Sequence, residues 1–237
     1  MPVGIVSDVL CIFIGGIIGT FGGKRLPDKL KESLPMAFAM AAMAMGITSM
    51  VKMRSLPVVI LSLLLGVIIG SLCNLEKLMR HFGEWVAGMM MRGGHEEPTA
   101  RARNLEYFAI AVILFCTGPT GIYGVIQASM TGDNSLLYTK SLLDIFTAAI
   151  FAANAGLVIC FLAGPVFMVF TTFFLLSGFV APYITPEMLA DFSGCGGLLI
   201  LATGFRMAEI KMFHVTDMLP ALVLVMPLSY IWSLLPL

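Results

Sequence analysis

The chain has 237 residues, 59% hydrophobic and 12% charged, with a mean hydropathy of +0.97. Soluble globular chains carry about 45–50% apolar residues, so an ordinary soluble domain is excluded. Fourteen basic residues balance fourteen acidic ones, which leaves no basic face for a phosphate backbone and counts against nucleic acid as a partner.

A helix crossing a ~30 Å hydrocarbon core needs about 17–25 apolar residues. Eight stretches are candidates, at roughly 3–21, 34–50, 56–72, 107–130, 141–161, 165–179, 192–210 and 218–234. The fifth and sixth are separated only by Leu162, Ala163 and Gly164, so a kinked or re-entrant pair, giving seven crossings, is the alternative. The first span lacks a basic leader and a small-residue cleavage site, which argues against a removed signal peptide. Within it Gly15, Gly19 and Gly23, and in span three Ser62, Gly66 and Gly70, recur every fourth residue, a spacing that lets helix backbones approach within one bundle or, alternatively, along a dimer seam.

Lysine and arginine in short loops set orientation. The loops after spans one, three, five and seven hold every basic residue except Lys52, Arg54 and Lys140. This bias is expected to put both termini of a multi-pass protein outside the cytoplasm.

Residues 26–30 resemble 184–189, and Pro27 with Pro186, Leu30 with Leu189 and Lys52 with Lys211 fall at one offset; Gly46 and Gly204 match it within one residue. Spans one to three thus recur as spans six to eight. Copies five spans apart are inverted in the membrane, a common ground plan of secondary transporters; chance recurrence of proline before leucine-rich helix is the alternative. Between spans three and four, residues 75–92 place apolar side chains opposite Glu76, Lys77, Arg80, His81 and Glu84, the pattern of a helix lying in the membrane interface. His95, Glu96 and Glu97 follow in a polar loop, too few ligands for a metal site.

Span four is interrupted at Thr117, Gly118, Pro119, Thr120 and Gly121, about 15 Å from its start at 1.5 Å per residue. Pro119 withholds an N–H and the glycines release the backbone from helix. The freed polar groups need partners that lipid cannot supply, as in the discontinuous helices that form transporter sites. A simple proline kink satisfied by Thr117 or Thr120 is the alternative. Tyr123 and Gln127 extend its polar face.

Span five carries Asp144, Thr147 and Asn154. At 100° per residue the second and third lie about 20° apart and Asp144 about 60–80° from each. An acid inside a span marks a functional site by default, usually for cations or protons; pairing with Lys140 at i,i+4 is the structural alternative. Asp8 near the outer end of span one reads either way. Arg206 and Glu209 are expected to snorkel or to pair with each other.

Cys116-Thr117-Gly118-Pro119, Gly124, Gly132-Asp133, Lys140, Asp144, Gly196-Gly197, Gly204, Lys211 and residues 219–222 together resemble the pattern of the YqgA/YdfK-like bacterial membrane proteins. That resemblance covers nearly the whole chain and implies a bacterial inner-membrane protein of shared architecture, without an activity or catalytic residue to carry over. Ile145-Phe146 after the aspartate, and Thr120 and Tyr123, depart from it.

The expected fold is an all-α polytopic membrane protein, a single transmembrane domain over 1–237 with about eight transmembrane helices. It comprises an inverted repeat (about 1–72 and 165–237), an interfacial amphipathic helix and loop (73–106), and a broken helix followed by a polar helix (107–161). The expected function is a transporter or channel for a small ion or solute, cation or proton linked, with its site at Thr117, Gly118, Pro119, Thr120, Gly121, Tyr123, Gln127, Asp144, Thr147 and Asn154. A non-transporting assembly or regulatory protein is the alternative. No HExxH or GxSxG occurs, so an enzyme is not expected. Five scattered cysteines without CxxC point to no disulfide, metal or cofactor. The expected partners are the lipid bilayer, the small ion or solute and a second copy of the chain.

Overall fold

The computed structural model describes residues 3–22, 28–90, 108, 111–112, 114–116 and 118–234. Among these the regular structure is entirely helical: α1 (Val3–Gly22), α2 (Asp28–Met50), α3 (Leu56–Leu72), α4 (Leu75–Met90), α5 (Pro119–Thr131), α6 (Ser135–Ala155), α7 (Ala163–Val180), α8 (Pro186–Met207) and α9 (Pro220–Ser233), with short 3-10 turns beside several of them. Five segments are long and apolar enough to cross a membrane: Val3–Gly22, Ser135–Ala153, Gly156–Tyr183, Pro186–Met207 and Val215–Ser233. Leu56–Leu72 joins as a sixth when the helix after it is counted with it. The expected eight therefore reduce to five or six on length and composition. α2 opens on the polar residues Asp28, Lys29, Lys31 and Glu32 and is apolar only over Met36–Met50, and α3 is 17 residues long. Residues 107, 109, 110, 113 and 117 of the fourth expected span, and the loop with His95, Glu96 and Glu97, lie outside the described residues.

The boundary between spans five and six also moves. α6 ends at Ala155, and Gly156, at φ +75°, donates its N–H to Ala152 O and starts the Gly156–Leu162 3-10 helix leading into α7. A left-handed glycine closes a helix that apolar patterning alone carries on. The break expected at Leu162, Ala163 and Gly164 therefore falls about two turns earlier, and the two spans are distinct.

The chain forms two compact units, Met1–Leu34 with Lys77–Ser177, and Pro35–Glu76 with Gly178–Leu237. In the first, α1 buries Gly4, Asp8, Ile12, Gly15 and Gly19. Gly4 meets Asn134 and Leu137, Gly15 meets Ile145 and Ala148, and Gly19 meets Ala149. Partner numbers rise together, so α1 and α6 run parallel. No side chain fits at Gly15 or Gly19, because the α6 backbone occupies that space. The alanine face of α6 thus receives α1. A core of Ile5, Phe108, Phe115, Leu162, Val166 and Phe170 surrounds the pair, with Val86 and Phe82 of α4 packed into it. Leu10, Phe13, Ile17 and Ile18 of α1 face outward, the side a lipid environment solvates.

In the second unit Gly66 and Gly70 of α3 pack on Ala221 and Asp217, and Gly46 of α2 packs on Gly197 and Leu201 of α8. The every-fourth-residue glycines described in both units therefore serve packing inside the molecule; Gly23 lies outside the described residues. Asp191 is buried at the start of α3: its Oδ1 accepts from Arg54 N at 3.0 Å and Ser55 N at 2.7 Å, and its Oδ2 accepts from Ser229 Oγ at 2.7 Å. It satisfies the amide of the N-cap Ser55 and that of Arg54 just before it.

Candidate functional site

The site lies within the first unit, and its register follows from the parallel pairing of α1 and α6. Gly4 N donates to Asn134 Oδ1 at 3.2 Å, and one turn on, Asp8 comes level with Lys140. Lys140 Nζ donates to Asp8 Oδ2 at 3.1 Å and forms a direct ion pair with Asp144 Oδ2 on its own helix. Side-chain exposures are 0% for Asp8, 7% for Lys140 and 13% for Asp144, so two carboxylates and one ammonium share an interior space. The ammonium stands 5.1 Å from the Phe170 ring centroid and 5.8 Å from that of Phe115, both within cation–π range. Lys140 is thus enclosed by two acids and two aromatic faces. Among the described residues, the thiols of Cys11 and Cys116 also lie within electrostatic reach.

The helix break borders this cage. Residues 114–116 are helical, Gly118 leaves helix at φ −58°, ψ 128°, and α5 restarts with Pro119 at its first position. Its first turn closes on Gly118 O, which accepts from Gly121 N at 3.0 Å and Ile122 N at 3.2 Å. The chain is therefore interrupted where the sequence indicated. Gly121 is buried against the Phe170 ring, and a Cβ there would also come within 3.0 Å of Lys140 Cε. Only glycine lets the restarted helix pass so close to the lysine stem and its aromatic wall.

Of the expected site residues, the structure brings together Asp144, Gly121 and the break at Gly118. Tyr123 and Gln127 are buried along α5, and Gln127 Oε1 makes no hydrogen bond among the described residues. Thr120 is half-buried. The Thr147 hydroxyl donates to Leu143 O at 2.9 Å, one turn back on its own helix. Thr117 and the side chains of Pro119 and Asn154 lie outside the described residues. Two members of the cage were not in the expected set. Lys140 appeared only as the structural alternative for Asp144, and the signal that placed it there, i,i+4 spacing, is correct. Asp8 has no local signal, since its partner is 132 residues away.

Arg206 does not pair with Glu209: its Nη2 lies 3.7 Å from Glu76 Oε1 and its Nη1 donates to Phe213 O at 3.3 Å. Glu76, His214 and Asp217 also come together there, with one ligand atom each within 4.8 Å. Asp217 Oδ1 already accepts from Glu76 N at 3.2 Å.

Apolar helices of spanning length with outward hydrophobic faces, folded around a buried charged cage, define a helical membrane protein. The chain belongs to the family described as "Protein of unknown function (DUF554)", whose model matches residues 3–230. It is 40% identical over 233 residues to the "Uncharacterized protein YqgA" of Escherichia coli (strain K12), covering 98% of each chain. It is 28% identical over 229 residues to the "Uncharacterized membrane protein YdfK" of Bacillus subtilis (strain 168), covering 93% of each. No solved structure matches the chain.

Proposed function

We propose that this protein is a bacterial inner-membrane transporter or channel for a small ion or solute, cation or proton linked, working at the cage of Asp8, Lys140 and Asp144 beside the break at Gly118. The observation that carries this reading is two buried carboxylates facing one ammonium. Such groups are costly inside a membrane and mark ion or proton pathways. The helix break at Gly118 and the close approach at Gly121 border the same space, the arrangement by which discontinuous helices form ion sites. The two acids share one lysine, an arrangement that suits a carrier or pore.

Helix directions support eight crossings. α1 and α6 are parallel, which requires an odd number of crossings between Gly22 and Ser135; α2, α3 and the broken helix supply three. With eight crossings, α2 opposes α8 and α3 opposes α9, as their contacts run: Gly66 meets Ala221 and Gly70 meets Asp217, partner numbers falling as α3 rises.

The inverted repeat has similar support. A Cβ on Gly46 would stand 2.7 Å from Leu201 N and 2.8 Å from Gly197 O, and one on Gly204 would stand 3.0 Å from both Met43 N and Ala39 O. These positions correspond at one offset of 158 (204 − 46, 201 − 43 and 197 − 39), so exchanging the copies exchanges the two contacts. The helices are antiparallel, and a two-fold relating an antiparallel pair lies perpendicular to them, as inversion across a bilayer demands. Each compact unit also takes matched parts from both copies, α1 with most of α7 in one, and α3 with α9 in the other. The charge bias of the loops supports an orientation with both termini outside the cytoplasm.

Purified protein in liposomes, under an imposed pH or ion gradient and against protein-free vesicles, tests the reading. Gradient-driven flux supports it. Absence of flux for protons, monovalent cations and organic solutes favours a non-transporting assembly or regulatory protein, in which the Lys140–Asp8 pair merely fixes α6 against α1.

A further inference from the structure

We infer that the cage is a site for one monovalent positive charge, a proton or a small monovalent cation, with Lys140 as the resident cation that sets this number to one. The inference rests on the transport reading and adds the class and count of what is bound. Two carboxylates and one ammonium, all buried, sum to one negative charge. An isolated charge in so dry a space is costly, and one monovalent cation or one proton cancels it, where a divalent ion would overshoot and an anion would double it.

The structure also supplies a free ligand atom. Lys140 engages Asp8 through Oδ2, while Asp8 Oδ1 is buried and makes no hydrogen bond among the described residues. Fully buried polar atoms are nearly always partnered, so this oxygen is the acceptor position for the bound charge. The faces of Phe115 and Phe170 already hold an ammonium, and such surfaces favour a weakly hydrated monovalent ion over a strongly hydrated divalent one. Among the described residues, Asp8, Asp144 and Lys140 form the space, and the thiols of Cys11 and Cys116 lie within electrostatic reach of it.

Calorimetric titration of the detergent-solubilised full chain with Na+, K+, NH4+ and Mg2+, with proton uptake followed in parallel, tests the count without relying on flux. The wild type is expected to bind one monovalent ion, or take up one proton, per chain and to ignore Mg2+. Asp8→Asn and Asp144→Asn each neutralise the site and are expected to lose that binding at least tenfold. Lys140→Gln leaves two negative charges and is expected to gain a second monovalent ion or Mg2+. Should that variant fail to fold, Asp8→Asn/Lys140→Gln restores a single negative charge and is expected to regain one-ion stoichiometry. Mg2+ binding to the wild type, or unchanged binding in Asp8→Asn, would overturn the inference even where flux is observed. Flux failing while one-ion binding persists would instead remove the transport reading alone.

Discussion

Asp191 and Asp144 are both acids buried on long apolar helices, yet their surroundings differ in kind. Asp191 is held by two backbone amides and a hydroxyl, neutral donors fixed in place by the start of α3 and by α9. Asp144 and its companion Asp8 depend on one lysine side chain, and Asp8 keeps an oxygen with no hydrogen bond among the described residues. The first arrangement spends the carboxylate on a helix end. The second leaves charge to be matched from outside, in a unit where the backbone is also interrupted. A buried acid is therefore informative through its donors more than through its depth: rigid neutral donors make a scaffold, and one side-chain cation shared by two acids marks a candidate site.

The largest effect that would break this contrast comes from Lys140. Its replacement by Met leaves two buried carboxylates without their cation and is expected to cost about 3–5 kcal/mol, read as a large fall in melting temperature in detergent; Lys140→Arg should retain most of it. Next, Asp191→Ala strips the partner from two amides and a hydroxyl and is expected to cost about 1–3 kcal/mol, with flux per folded molecule unchanged. Gly118→Ala with Gly121→Ala is expected to depress flux more than stability. A Cβ at position 121 displaces Lys140 and the Phe170 ring, and one at 118 stands 2.8 Å from Leu114 O. An equal loss of folded protein would mark the break as a structural kink. The smallest change is Ser229→Ala, which removes one donor from Asp191 and is expected to cost about 1 kcal/mol with no change in flux; a flux defect there would bring Asp191 into the working site.

Much of this was legible in the sequence because membrane helices write their rules locally. Helix-length apolar runs, the Gly118–Pro119 interruption and the i,i+4 spacing of Lys140 and Asp144 all act within a few residues. Gly156 was missed because an apolar run hides a change of backbone hand, which only φ reveals. Thr147 looked like a ligand from its place on the wheel, but a hydroxyl in a helix readily turns back to the carbonyl four residues earlier, as it does to Leu143. Asp8 could not be placed, since its partnership depends on the parallel docking of α1 on α6, and that docking is set by where Gly15 and Gly19 meet the α6 backbone.

The most direct test of the central claim is a matched pair of aspartate substitutions in proteoliposomes: flux of protons and monovalent cations through wild type, Asp144→Asn and Asp191→Asn, each normalised to folded protein. The account predicts that Asp144→Asn loses gradient-driven flux while Asp191→Asn keeps it. Equal flux in the two variants, or loss confined to Asp191→Asn, would contradict it.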